Sequence, residues 1–223
     1  MGSATQAANR MSDPMNDLTT DPTHITTLDA LRERYAAPRG RSLLKELKQL
    51  DAHGRRFIEL SPFLVLATHG ASGAMDASPR GGAPGFVKVV DECTLLIPDA
   101  PGNNRLDSLE NIIATGRIGL IFMIPGVDET LRINGRAVLS IAERDIALCT
   151  DERRAPTLAI KVSAEEVYLH CAKALMRSRL WHADSRIERS SLPTMAQMIR
   201  DQTGADIPLE SQEAMVARYA VDL

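Results

Sequence analysis

Cysteine is scarce in this chain. Cys93, Cys149 and Cys171 are the three present; they lie far apart and form no Cys-x-x-Cys pair. An odd, scattered set argues against a disulfide framework and against a zinc site. The five histidines (His24, His53, His69, His170 and His182) show no ligand spacing either, so no metal is expected. No apolar run approaches the roughly 20 residues of a membrane helix, and no membrane partner is expected. The first twenty residues are polar and lack the apolar core of a signal peptide. Three reduced thiols in a cytoplasmic protein is the expectation. No charge of one sign dominates: 26 Lys and Arg face 29 Asp and Glu, a formal net charge of −3. A nucleic-acid binder needs a basic face to meet phosphates, so no nucleic-acid partner is expected. The basic stretch Lys173–Arg179 is a local exception that also fits solvated charges at an element's end.

Catalytic signatures are missing as well. There is no Gly-x-Ser-x-Gly elbow, no Gly-x-Gly-x-x-Gly fingerprint and no Walker loop. Glu165-Glu166 and Asp128-Glu129 read as solvated turn acids. Catalytic residues are therefore left unassigned.

What is present is a chain of 223 residues, long enough for one sizeable domain with appended helices. Residues 1–24, rich in Ser, Thr, Asp, Asn and Pro, read as a disordered arm. Residues 25–60 read as helices packing on the domain that follows. Thr27 caps a first helix with Leu28, Leu31 and Tyr35 on one face, and Leu43, Leu44, Leu47 and Leu50 give the helical period from Ser42 to Leu50. Gly54 is expected to end that second helix, and a further helical turn is expected around Phe57, Ile58 and Leu60. Residues 61–182 change character. Strands are expected over Phe63–Thr68, Met75–Ser78, Phe86–Val90, Thr94–Ile97, Arg117–Ile124, Glu129–Ser140, Leu158–Val162 and Val167–Cys171, with a turn at Ser163–Glu166 and a loop from Pro79 to Gly85. Helices are expected at Leu109–Ala114 and Ala142–Cys149. The strands do not alternate with helices, so an antiparallel barrel or sandwich is favoured over a doubly wound sheet. Residues 183–223 form a C-terminal helical segment.

The chemistry concentrates in two polar sets. Asn103, Asn104, Arg105, Asp107 and Ser108 occupy a loop that opens a helix. Free backbone N–H groups and the helix dipole suit that position to a phosphate, with Arg105 adding a charged fork and Ser108 a hydroxyl donor. The same residues also fit a plain helix cap by Asp107 or Asn104 with Arg105 in solvent. Asp76, Ser78 and Arg80 lie near the end of one strand. They could line the flat part of a phosphorylated cofactor, or serve as turn hydrogen bonds.

The blocks Asp76-Ala77-Ser78-Pro79-Arg80-Gly81 and Pro101-Gly102-Asn103-Asn104-Arg105-Leu106-Asp107-Ser108 occur in this order. Around them lie Phe63–Thr68, Arg117–Phe122, Leu131–Ala137, Cys171–Leu175 and Ser178–Trp181. On these residues the chain resembles the pyridoxamine 5′-phosphate oxidase-like, FMN-binding split-barrel superfamily, in a bacterial subgroup of FMN-dependent enzymes of unassigned substrate. The resemblance covers Phe57 to Trp181. It implies a mainly β, α+β fold with a six-stranded antiparallel split β-barrel and flanking helices, and a homodimer with FMN at the subunit interface. It places the phosphate on Arg105 with Asn104 and Ser108 beside it. It implies flavin contacts from the partner chain near Glu129 or Thr130, and at Lys173, Arg179 and Trp181. Leu106 stands where the oxidase proper has a Lys, and the C-terminal end is acidic-leaning, so pyridoxamine phosphate itself is not the expected substrate. The implied activity is an oxidoreductase acting on a small molecule, with NADH or NADPH as candidate donors. The alternatives are a flavin-binding or sensing module without turnover, and the same fold holding a deazaflavin, or haem on His170 or Cys171.

Overall fold

The computed structural model describes residues 21–40, 44–151 and 154–220. The polar arm lies, through residue 20, outside the described residues. The chain divides into two compact units, 1–44 and 45–223. In the first, α1 (Leu28–Arg34) starts at Thr27, whose hydroxyl accepts the Ala30 N–H at 3.3 Å.

The second unit is built on one sheet. Its strands are β1 (Phe63–His69), β2 (Met75–Gly81), β3 (Lys88–Val89), β4 (Thr94–Pro98), β5 (Arg117–Met123), β6 (Thr130–Ser140) and β7 (Ala159–His170). They pair in the order β2-β1-β5-β6-β7-β4-β3, every pair antiparallel. The mainly β character with flanking helices is as expected, but the six-stranded barrel is not. Among the described residues there are seven strands, and no pairing of β2 with β3 closes the sheet. β3 has two residues, both paired with β4, and β2 carries Pro79, which has no N–H to donate.

β1, β5, β6 and most of β7 turn alternate residues inward, as period-2 geometry requires, whereas β4 buries Leu95, Leu96 and Ile97 in succession. Leu64, Leu66, Leu120, Phe122, Leu131, Ile133, Ile160 and Val162 form the buried face. The helices of this unit are α2 (Ala52–Leu60), α3 (Asp107–Thr115) and α4 (Glu143–Cys149), which contact the sheet, and α5 (Lys173–Ser178), α6 (Met195–Thr203) and α7 (Gln212–Tyr219), which follow β7 in the chain. α3 packs on β1 and β6 and buries Leu109 and Ile112.

Four local expectations are corrected. The loop expected from Pro79 starts later, because β2 runs to Gly81 with Pro79 paired to Val65. Residues 45–50 are not helical: Leu47 bridges Val167 in β geometry. Gly54 opens a helix rather than ending one, because the Asp51 carboxylate accepts its N–H at 2.7 Å as the cap of α2. Ser163–Glu166 is not a turn. β7 runs unbroken through it, and the register shift between Asn134 and Gly135 leaves Glu165 as an extra, bulged residue. A Cβ at Gly135 would stand 2.0 Å from the Ser163 carbonyl oxygen, so glycine permits the bulge.

Candidate functional site

β2 and the start of α3 meet at a polar seam. The Ser108 hydroxyl donates to the Asp76 carboxylate at 2.5 Å, and Ser108 is only 4% exposed. One turn along, Asn111 Nδ2 donates to Thr68 Oγ1 at 3.0 Å, and the Thr115 hydroxyl reaches the His69 carbonyl at 3.1 Å. Thr68 pairs with Asp76 across β1 and β2. Three polar side chains of one helix are thus pinned to the end of a two-stranded ribbon, fixing where the helix N-terminus points. Asn111 and Thr68 were missed by sequence reasoning. Their signal was weak: a buried Thr at the end of an apolar strand and an Asn inside a helix.

The N-terminus of α3 is open. Its cap residue is Leu106, in the left-handed region at φ 60°, and no side chain caps it. Neither Asp107 nor Asn104 takes that role. The Asp107 carboxylate instead accepts Arg105 Nε at 2.8 Å, and Asn104 is itself left-handed at φ 58°. Asn103 Oδ1 accepts the Arg105 N–H at 3.1 Å. The N–H groups of Leu106, Asp107 and Ser108 find no acceptor among the described residues. A left-handed residue followed by helical ones turns successive N–H groups into a common concavity that suits anions. Two non-glycine residues with positive φ flank Arg105, a strained arrangement that costs about 1–2 kcal/mol per residue.

Arg105 is 73% exposed on its side chain and paired with Asp107. The carboxylate hydrogen bond and charge push its guanidinium pKa further up, so it is a permanent cation. An exposed pair of this kind is worth about 0–1 kcal/mol, so the fork can turn from Asp107 to another anion at small cost. Arg80 donates to Ser78 and to the Pro79 carbonyl. Asp99, half-buried after β4, is raised above the ordinary carboxylate pKa by desolvation, and the Arg80 charge opposes that rise.

The remaining candidates lie elsewhere. Thr130 opens β6 and pairs with His170. Trp181 Nε1 donates to the Val127 carbonyl at 2.9 Å, tying it to the β5–β6 turn. Arg179 is left-handed at φ 54° and donates to Asp184 at 2.5 Å. Lys173 is the first residue of α5 and has no ion pair among the described residues. No hydrogen bond joins this set to the Arg105 set among the described residues. Register explains the gap: Arg80 pairs with Leu64, Leu64 with Phe122 and Phe122 with Leu131. Thr130 therefore lies at the Gly81 end, away from Asp76, and three strand spacings from β2, roughly 14 Å.

A family model described as "Pyridoxamine 5′-phosphate oxidase" matches residues 50–171, more than half of the chain. The chain belongs to this family. The matched span includes every candidate from Asp76 to Thr130, whereas Lys173, Arg179 and Trp181 lie just beyond it. No curated protein matches the chain. Among solved structures, HupZ of Group A Streptococcus is 16% identical, with 53% of this chain and 91% of that one covered at a TM-score of 0.45. A Lactobacillus delbrueckii protein provisionally assigned as a pyridoxamine 5′-phosphate oxidase is 20% identical, covering 56% and 98% at 0.44. An FMN-binding protein of Syntrophomonas wolfei is 8% identical, covering 65% and 97% at 0.39. No functional statement rests on likenesses at this level.

Among the described residues, no group of His, Cys, Asp or Glu could hold a metal ion, and no helix is long and apolar enough to cross a membrane. A concavity of about 530 Å³ opens on the outward face of β1, β5 and β6, between Met75 and Glu166. None of the candidate cofactor residues lines it. The Arg105 loop, residues 100–106, is exposed within one chain.

Proposed function

We propose that this protein binds FMN on the shelf between β2 and α3 and acts as a flavin-dependent oxidoreductase on a small molecule. The observation that carries this is the uncapped start of α3, where three N–H groups without acceptors among the described residues stand beside a permanent cation. A dianionic phosphate answers both. Arg105 and the N–H groups of Leu106 to Ser108 hold the phosphate, with Asn104 and Asn103 shaping the loop. The Ser108 hydroxyl is already donated to Asp76, so Ser108 acts by fixing the helix start and by its backbone. Ser78 and Arg80 line the strand along which the ring lies.

The bound flavin supplies two-electron chemistry; the chain supplies binding, orientation and exclusion of water. A shelf open on one side needs a second wall. We assign that wall to another copy of the chain, through Thr130, Lys173, Arg179 and Trp181, because register holds Thr130, and the Val127 contact holds Trp181, at the end of the sheet away from Asp76. A symmetric homodimer would then carry two equivalent sites. NADH and NADPH are the donors to try first.

The test is an absorption spectrum of the purified protein, followed by titration with FMN and anaerobic addition of NADH and NADPH. Flavin bands at rest that bleach with a nicotinamide support the proposal. A protein that is colourless and takes up no FMN removes it. Bound FMN that neither nicotinamide reduces leaves a binding module. Haem and deazaflavin spectra are distinct from both.

A further inference from the structure

On the outward face of β6 and β7, charge is sorted by position. Thr130, Arg132, Asn134 and Arg136 alternate along β6; His170, Tyr168 and Glu166 stand opposite the first three. At the Arg136 end every charge is answered. The bulged Glu165 accepts Arg117 at 2.9 Å and Arg136 at 3.2 Å, and Glu166 accepts Asn134 Nδ2 at 2.8 Å.

At the Thr130 end no carboxylate among the described residues answers. The Lys45 ammonium lies 5.1 Å and the Arg132 guanidinium carbon 5.3 Å from the centroid of the Tyr168 ring. The His170 ring centroid is 5.0 Å from the same ring. Lys45 donates to the Leu169 carbonyl and Arg132 Nε to Asn134 Oδ1. No carboxylate among the described residues pairs with Lys45, Arg132 or His170. Cation–π contact offsets part of the repulsion between two cations held at one ring, but it neutralises neither. Desolvation lowers the His170 pKa first, and the charges of Lys45 and Arg132 lower it further.

We propose that Lys45, Arg132 and His170, gathered around Tyr168 with Thr130 opposite His170 in the strand register, form a second anion site, which takes the carboxylate or phosphate group of a small molecule. The terminal nitrogens of Arg132 match either group as a fork. The site rests on residues of this chain alone and is separate from Arg105. It deepens the flavin proposal in one respect, which rests on that proposal: beside Thr130, it selects an acidic molecule as the one that reacts.

The experiment follows the His170 imidazole by NMR in the full-length protein as purified. Inorganic phosphate and benzoate are added separately, with ionic strength held constant by chloride. A saturable shift of His170 toward the protonated position is expected, because a bound anion favours imidazolium. Saturation by phosphate assigns a phosphoryl group and saturation by benzoate a carboxylate. Arg132→Gln should weaken binding about ten- to a hundredfold, the worth of a charged hydrogen bond. Arg132→Lys should restore part of it while preserving the fold, and Arg105→Gln should leave it unchanged. Loss of flavin in Arg105→Gln with an intact His170 response keeps the two sites distinct. A linear, non-saturating shift, or one identical in Arg132→Gln and wild type, overturns the proposal. So does a His170 that ignores both anions while Arg132→Gln changes the monomer–dimer balance, because the cluster would then serve an interface.

Discussion

Ser108 in α3 donates its hydroxyl proton to Asp76 in β2 across a separation of 32 residues in sequence. This single contact joins the two polar blocks that stand out in the sequence. It also sets the direction in which the N–H groups of the helix start are aimed.

Ser108→Ala should destabilise the fold by about 1–3 kcal/mol, because it leaves a half-buried carboxylate without its donor. Replacing both partners, with Asp76→Ala added, should cost less than the sum of the single changes. Urea unfolding of the four proteins in a double-mutant cycle measures the coupling; strict additivity would mean the contact contributes nothing.

Arg105→Ala should separate binding from stability. The guanidinium is exposed and its pair with Asp107 is weak, so thermal unfolding should be unchanged. FMN affinity should fall by about 1.5–3 kcal/mol, as for a lost charged hydrogen bond. Flavin fluorescence titration reads the second quantity and calorimetry the first.

If one flavin site draws on two chains, inactive copies should rescue each other. Arg105→Ala and Trp181→Ala homodimers should each lose flavin. Mixed and reassembled in equal amounts, half of the dimers are hybrids, and each hybrid carries one intact site. About a quarter of the wild-type flavin should return. No recovery, despite hybrids seen by native mass spectrometry, would place Arg105 and Trp181 in separate functions.

Asp145 gives an acid-side prediction. Its carboxylate is almost fully enclosed and accepts the Ser140 hydroxyl at 2.6 Å and Lys161 Nζ at 3.1 Å. The Ser140 bond, then the Lys161 bond and charge, hold its pKa below the usual value. A depressed folded-state pKa means the unfolded chain binds the proton first. The stabilisation is therefore present above the ordinary carboxylate value of about 3.9 and fades as pH falls through the lowered one. Asp145→Asn should flatten stability against pH in that acid window. An unchanged slope would show that Asp145 titrates as it does in the unfolded chain.

Gly135→Ala tests the bulge. With the Ser163 oxygen 2.0 Å from the added carbon, β6 and β7 must separate, and the loss should exceed the usual 1–3 kcal/mol of overpacking. Gly119→Ala, whose new carbon would meet Asn134 Oδ1 at 3.3 Å, should be milder. Equal melting temperatures for the two variants would remove the special role of Gly135.

Much of the sheet was legible because period-2 alternation is a local property. Phe63–Thr68, Arg117–Ile124 and Glu129–Ser140 read as strands and fold as strands, to within a residue or two. Long-range causes stayed hidden. Leu43, Leu44, Leu47 and Leu50 have helical spacing, yet Leu47 exchanges two backbone bonds with Val167, 120 positions away. Ser163–Glu166 looks like a turn because two acids interrupt an apolar run, and only pairing with Gly135 shows a bulge. At the site, the polarity of the Asn103–Ser108 loop was visible in sequence. The left-handed backbone at Leu106 was not, since nothing about leucine favours φ above zero. The cluster around Tyr168 was equally hidden, because it needs β6 and β7 in register.

Pro79 sits in β2, the outermost strand on its side of the sheet, opposite Val65. A border strand normally invites further strands to attach, in growing aggregates as in folded proteins. An imide nitrogen in the middle of that border interrupts any incoming ladder. The ribbon that carries Asp76, Ser78 and Arg80 can thus remain uncovered, and accessible to small molecules, without acting as a seed for fibrils.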